Sequence, residues 1–196
     1  MFRFNTKECK WFFEPKNYLI EEDKVEIITE PNTDFGKEPI MDLEMIMLMF
    51  FMLQQMKNIF LYGKDRFNST ALFDQCGLAI YQNSENWAKA CIEFHDNNTS
   101  WLGSVVTNHG YSDWATMDIG SSVKSMWYRL SRRGSDYCFE NSFDGVNFKQ
   151  MRIFHLFEGA KEINFGLLAC SPSKNSFKAT FTEMKITDCL WEEHKA

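Results

Sequence analysis

From residue 71 onward, turn residues cut the chain every eight to twelve positions into short apolar and aromatic runs, a rhythm that restricts the fold more than any other feature. CGLAIYQ is followed by Asn83-Ser84-Glu85-Asn86, and WAKACIEF by Asp96-Asn97-Asn98. WLGSVVTN, SMWYRLSRRG, YCFENSFDGVNFKQMRIFHLF, INFGLLACSP and FKATFTEMKIT continue the series, and none of them carries a sustained helical repeat. The pattern predicts an all-β fold, a sandwich or a barrel. One domain over residues 1–196 accounts for it, since sandwiches of about 200 residues are common as single units. A chain of this size buries a core without disulfide staples. Asp144-Gly145, between two β-rich runs, predicts a hairpin turn in which glycine takes φ > 0 at little cost.

Period-two alternation orients residues 87–94. Ala88, Ala90, Ile92 and Phe94 point one way and form a core face; Trp87, Lys89, Cys91 and Glu93 point the other. A face with an indole, an ammonium and a carboxylate in line is either ordinary solvated surface or the floor of a groove. Near Arg129 the pattern repeats: Trp127, Arg129 and Ser131 share one face, Tyr128 and Leu130 the other.

Charge and motifs exclude several functions. With 21 basic and 27 acidic residues the chain carries −6. Its one basic cluster, Arg129, Arg132 and Arg133, is too small for a nucleic-acid interface. The start, MFRFNTKECKWFFEP, lacks the apolar run and small-residue cleavage site of a signal peptide. Six scattered cysteines read as buried thiols and not as a disulfide or zinc framework, which points to a cytoplasmic protein. The four histidines are isolated, so no metal site is expected. No G-x-G-x-x-G, P-loop or G-x-S-x-G occurs, and no cofactor is implied. Cys170, at the end of the apolar run FGLLA, reads as a buried strand residue in preference to a nucleophile.

Residues 36–67 stand apart. Six of the eleven methionines lie between Met41 and Met56, and Asp42–Gln55 has the pattern of an amphipathic or buried helix, suited to an adaptable partner surface. Asp42 and Glu44 break the apolar stretch, so no membrane span is expected. A different origin fits this stretch better than a helix inserted in a β chain. Back-translated with AT-rich codons and read one base earlier, Gly36–Glu44 becomes W-K-R-T-Y-Y-G-F-R. The same shift turns residues 45–60 into N-D-N-A-H-V-F-Y-V-A-T-D-E-K-Y-F, and a further shift near Leu61 gives M-V-K-T-D-F before Asn68. This alternative text is strand-like and polar, and we read the printed stretch as a shifted-frame translation.

The run from Asp74 to Phe181 resembles the regulation-of-enolase-like family of domains of unknown function, in the concanavalin A-like lectin/glucanase superfamily. The matching pieces are Thr33-Asp34-Phe35, Asp74-Gln75-Cys76-Gly77-Leu78, Trp87-Ala88-Lys89-Ala90 with Ile92-Glu93, Ser104-Val105-Val106-Thr107 and Ser112-Asp113-Trp114. Arg129, Ser142-Phe143-Asp144-Gly145 with Arg152, Gly166, Ala169-Cys170-Ser171-Pro172 and Phe181 complete them. The family continues Thr-Asp-Phe with W-x-R-T-x-Y-G-F, which the shifted frame restores and the printed residues lack. The resemblance implies a two-sheet antiparallel β-sandwich of the jelly-roll kind, with one convex and one concave face, and no particular reaction.

Within that frame, Trp87, Lys89, Glu93, Thr107, Asp113, Trp114 and Arg129 are the expected ligand-binding residues of a concave groove. An aromatic surface for the C–H side of a sugar, with charged groups for its hydroxyls, suits a carbohydrate-like small molecule. A protein partner in metabolic regulation is the other expected occupant. The competing structural reading makes Lys89, Glu93, Asp113 and Arg129 cross-strand ion pairs and Ser112-Asp113-Trp114 a corner with its indole in the core. The enzymatic alternative is a glycoside hydrolase-like carboxylate pair, about 5–5.5 Å apart for retention or about 6.5–9.5 Å for inversion. The superfamily's E-x-D-x-E strand pattern is missing, which leaves Glu93 and Asp113 as the pair to test.

Overall fold

A computed structural model describes residues 2–3, 5–35, 49–55, 59–159, 162–189 and 191, with backbone alone at 2–3, 49–55 and 59–62. The described residues form strands in two antiparallel sheets, one short 3-10 turn at Thr6–Glu8 and no α-helix. The first sheet runs β13 (Lys149–His155), β12 (Asp136–Ser142), β11 (Ser125–Arg133), β6 (Ile59–Phe67), β15 (Lys178–Asp188), β4 (Lys24–Ile28) and β3 (Asn17–Ile20). Its β15 also pairs with β1 (Phe2–Arg3). The second sheet runs β10 (Tyr111–Gly120), β9 (Thr99–Asn108), β8 (Asn86–Phe94), β7 (Gln75–Asn83), β14 (Ile163–Cys170), β5 (Met49–Gln55) and β2 (Lys10–Trp11). This is the predicted sandwich.

Alternation builds the core between the sheets. Ala88, Ala90 and Ile92 of β8 pack in one hydrophobic cluster with Tyr128 and Leu130 of β11 and Phe181 of β15. The turns fall where the polar residues stand. Asp96 Oδ1 accepts the amides of Asn98 and Thr99 between β8 and β9. Between β12 and β13, Asp144 Oδ1 accepts the amides of Val146 and Asn147, both at 2.8 Å. Gly145 there has φ +73°, and a Cβ would stand 2.9 Å from Trp127 Nε1, so two requirements select glycine.

Residues 49–55 and 59–67 correct the helical expectation for the Met-rich segment: they are strands β5 and β6. Each is hydrogen-bonded on both sides, β6 to β11 and β15 and β5 to β14 and β2, and that pairing overrides the local helical pattern. The rest of the expected helix, residues 42–48, and the restored family motif at 36–44 lie outside the described residues.

Among the described residues no helix is long and apolar enough to cross a membrane. The six cysteines are free thiols, four of them buried, as their spacing predicts.

Candidate functional site

The outward side of β8 is sealed against solvent. Trp87, Lys89, Cys91 and Glu93 project from the second sheet away from the core, yet Trp87 and Cys91 are 0% exposed and Lys89 and Glu93 only 4% and 3%. Part of the cover is the chain leaving β4. Thr33 N donates to Ser171 O at 2.9 Å, Ser171 N donates back to Thr33 Oγ1 at 2.9 Å, and the Ser171 hydroxyl donates to Asp74. So fastened, the segment lays Phe35 on Trp87, ring centroids 4.0 Å apart, and sets Asp34 beside Lys89. A groove floor with Trp87 exposed is therefore corrected: the indole is packed under Phe35, and its Nε1 is buried with no hydrogen-bond partner among the described residues.

Beneath lies a compact polar cluster. Lys89 Nζ donates to Gln75 Oε1 at 2.6 Å and stands 3.8 Å from Asp34 Oδ1. Gln75 Nε2 donates to Asp34 Oδ1 at 3.3 Å, and so does Phe35 N at 2.6 Å, while Asp34 Oδ2 is buried with no hydrogen-bond partner among the described residues. Cys91 Sγ lies 3.3 Å from Glu93 Oε1. Burial pushes the Glu93 carboxyl above its usual range, against the pull of Lys89. For Lys89 burial works downward, but the carboxylate of Asp34 foremost reverses it, and the ammonium is held up and charged. Burial drives the thiols of Cys91 and Cys170 well up, so both are protonated and poor nucleophiles.

Toward β9 and β10 the cluster opens onto aromatics. Trp101, cross-strand from Glu93, stacks on His95 at 4.1 Å and meets Trp114 edge-on at 5.8 Å. Trp114 is 44% exposed, so Ser112-Asp113-Trp114 is no corner with a core indole; it is strand, because all three residues pair in register with β9. Gly103 lies between: the place of its missing Cβ is 2.8 Å from Glu93 Oε1 and 3.7 Å from Trp114 Nε1. Thr107, fully buried, shares a 2.7 Å hydroxyl contact with Ser112.

Two expected groove members lie elsewhere. Arg129 is on β11 of the other sheet, 2.9 Å from its cross-strand partner Glu140 and stacked 3.7 Å over Phe148. Alternation assigns a face within a strand and says nothing of which sheet the strand joins. Asp113 pairs with Val106, whose side chain is in the core, so it points to the other side of the second sheet from Trp114. There it lies 3.9 Å from Arg152 of the opposite sheet. The Glu93–Asp113 carboxylate pair is thereby excluded. Sequence reasoning missed Asp34, Gln75 and Cys91 as site members, although Thr33-Asp34-Phe35 and Asp74-Gln75 stand among the pieces that carry the family resemblance.

The fold and site together define a class: a two-sheet β-sandwich with a polar, aromatic-rimmed cluster on one outer face. Residues 11–189 match the family model "Protein of unknown function (DUF1349)", and the chain belongs to that family. It is 27% identical over 177 residues to "Regulation of enolase protein 1" of Saccharomyces cerevisiae, covering 90% of this chain and 88% of that one. A crystal structure of a functionally unknown protein from Saccharomyces cerevisiae superposes with a TM-score of 0.87 at 26% identity, over 95% of this chain and 100% of that one. The GH43 protein BlXynB of Bacillus licheniformis shares the fold, with a TM-score of 0.70 at 14% identity, over 91% of this chain and 36% of its own.

Proposed function

We propose that this domain is a non-catalytic binding and regulatory module that takes a carbohydrate-like small molecule on the outer face of its second sheet. One observation carries the reading: an exposed indole, Trp114, and a buried carboxylate, Glu93, converge over the bare backbone of Gly103. An indole edge or face beside hydrogen-bonding groups is the chemistry that selects a pyranose. Asp34 Oδ2, buried with no hydrogen-bond partner among the described residues, adds an acceptor, and an unmet hydrogen bond of this kind costs about 1–3 kcal/mol. The presence of this fold in the GH43 protein BlXynB and in a xylan beta-1,4-xylosidase of Bacillus halodurans supports the carbohydrate class.

The test is an NMR titration of labelled protein with neutral xylo- and cello-oligosaccharides. Saturable shifts are expected at the Trp114 indole and around residues 101–103, abolished by Trp114→Ala and weakened about tenfold by Glu93→Gln, a loss of roughly 1.4 kcal/mol. A full panel without saturable shifts at these positions would discard the carbohydrate reading. Turnover of a glycan, lost in Glu93→Gln, would replace it with the hydrolase alternative.

A second reading is favoured by the name of the yeast relative, which concerns regulation of enolase. In it the occupant is a metabolic protein that grips the edge strand β10, where Trp114 is exposed on the outer side and Tyr111 and Met117 are exposed on the other. Co-purification of such a partner, lost in Met117→Asp, distinguishes it.

A further inference from the structure

Among the described residues, the strands that end the two sheets are β13, β3, β10 and β2, and they are not equally protected. Native sheets blunt their edges with short strands, lysine, proline or bulges. β2 and β3 have two and four residues, and β13 carries Lys149, Arg152 and a bulge against β12. β10 has none of these devices. It pairs with β9 alone, through ten successive residues without a bulge, and YSDWATMDIG holds no lysine, arginine or proline. Every second residue of such an antiparallel edge turns N–H and C=O away from the sheet. Its inward-pointing carboxylate, Asp113, is drawn toward Arg152, which also donates to the Asp113 carbonyl at 3.3 Å.

The side chains suit a second copy of the same strand. The large apolar groups that β10 exposes are Tyr111, Trp114 and Met117, and Trp114 stands midway between the other two. A two-fold axis at Trp114 therefore sets each Tyr111 against Met117 of the other copy, and Trp114 against its own counterpart. The same register sets Ser112 against Thr116 and Asp113 against Ala115, so no two carboxylates oppose. An axis one residue earlier would oppose two Asp113 side chains, and one residue later would set Asp113 against Met117. Directly opposed residues share a face with Cβ atoms about 4.5–5.5 Å apart, close enough to pack.

We propose that β10 pairs antiparallel with β10 of a second copy of this chain, about a two-fold axis at Trp114, and joins two seven-stranded sheets into one. The interface is isologous, so every contact occurs twice. It also completes the candidate site with a second indole. Trp114 converges with Glu93 over Gly103, and its counterpart becomes its neighbour on the same outer face. The inference goes beyond the carbohydrate reading and does not require it; a metabolic protein gripping β10 would compete for the same edge.

The test is sedimentation of the purified chain over a concentration series, with amide exchange as a second readout. A reversible monomer–dimer equilibrium is expected, and amides within residues 112–118 should exchange more slowly as the dimer fills. Tyr111→Lys and Met117→Asp, both at exposed positions, should each weaken dimerisation at least about tenfold. Combined, they set an ammonium against a carboxylate twice in this register and should restore most of the lost affinity. Thermal unfolding should show all three variants folded. A monomer at every concentration up to about 1 mM, or a dimer that Met117→Asp leaves unaltered, overturns the proposal. A double variant that dimerises no better than the single ones overturns it as well. Saturable oligosaccharide shifts in monomeric Met117→Asp protein would keep the carbohydrate reading, so failure here and failure there are separate results.

Discussion

Asp65 stands in the core, cross-strand from Met126 and Phe181, where it accepts Met126 N at 3.1 Å and lies 3.5 Å from Cys76 Sγ. Burial pushes its carboxyl up to about 8. The folded state therefore holds this proton between about pH 4, the usual unfolded value, and about 8, while the unfolded chain releases it. Stability is greatest below that window, falls across it, and is level above it. Asp65→Asn should raise stability at pH 8 and remove most of the slope in urea unfolding between pH 5 and 8. Glu93, raised by its own burial, leaves a residual slope of the same sign. Lys89 is the opposite case, a buried ammonium whose removal strands Asp34. Lys89→Met should cost about 3 kcal/mol in the same measurement, and adding Asp34→Asn should recover part of it.

Among the elements, the glycines on the site face separate two kinds of cost. A Cβ at Gly77 would meet the Ala90 carbonyl oxygen at 2.1 Å, backbone that cannot yield, whereas one at Gly103 meets the movable end of Glu93. Gly77→Ala should lose at least about 2 kcal/mol in thermal or urea unfolding. Gly103→Ala should keep most stability yet displace the carboxylate and impair ligand binding. The hairpin at Asp144-Gly145 was legible because its determinants are local, a side chain bonding amides two and three residues ahead and one positive φ. The strands β5 and β6 were not, because their backbone partners come from distant parts of the chain and the printed side chains imitate a helix. The shifted-frame text agrees with strand here, and it puts threonine where Asp65 now burdens the core. Transcript sequencing across residues 36–67 is expected to show the single-base losses; an intact frame encoding the Met-rich text would end that reading.

At the scale of the whole molecule, the all-β class could be read from the spacing of turns, the sandwich from the family resemblance, and half of the candidate site from one strand. The other half could not, because Asp34 and Gln75 reach Lys89 through pairings that no local period encodes. The sheets are also joined at one end by Asn108, which donates to His155 O at 2.8 Å and accepts Phe157 N at 2.9 Å. Asn108→Ala should cost about 1 kcal/mol and speed amide exchange at the end of β13. The strap of residues 29–35 has a wider consequence. It leaves β4, a strand of one sheet, and is anchored to Ser171 and Phe177 before delivering Asp34 and Phe35 to the back of the other sheet. The polar cluster on one leaf of the sandwich is thus moored to its opposite leaf: slackening a fastening such as Thr33 or Ser171 would loosen the cluster without altering a single group inside it.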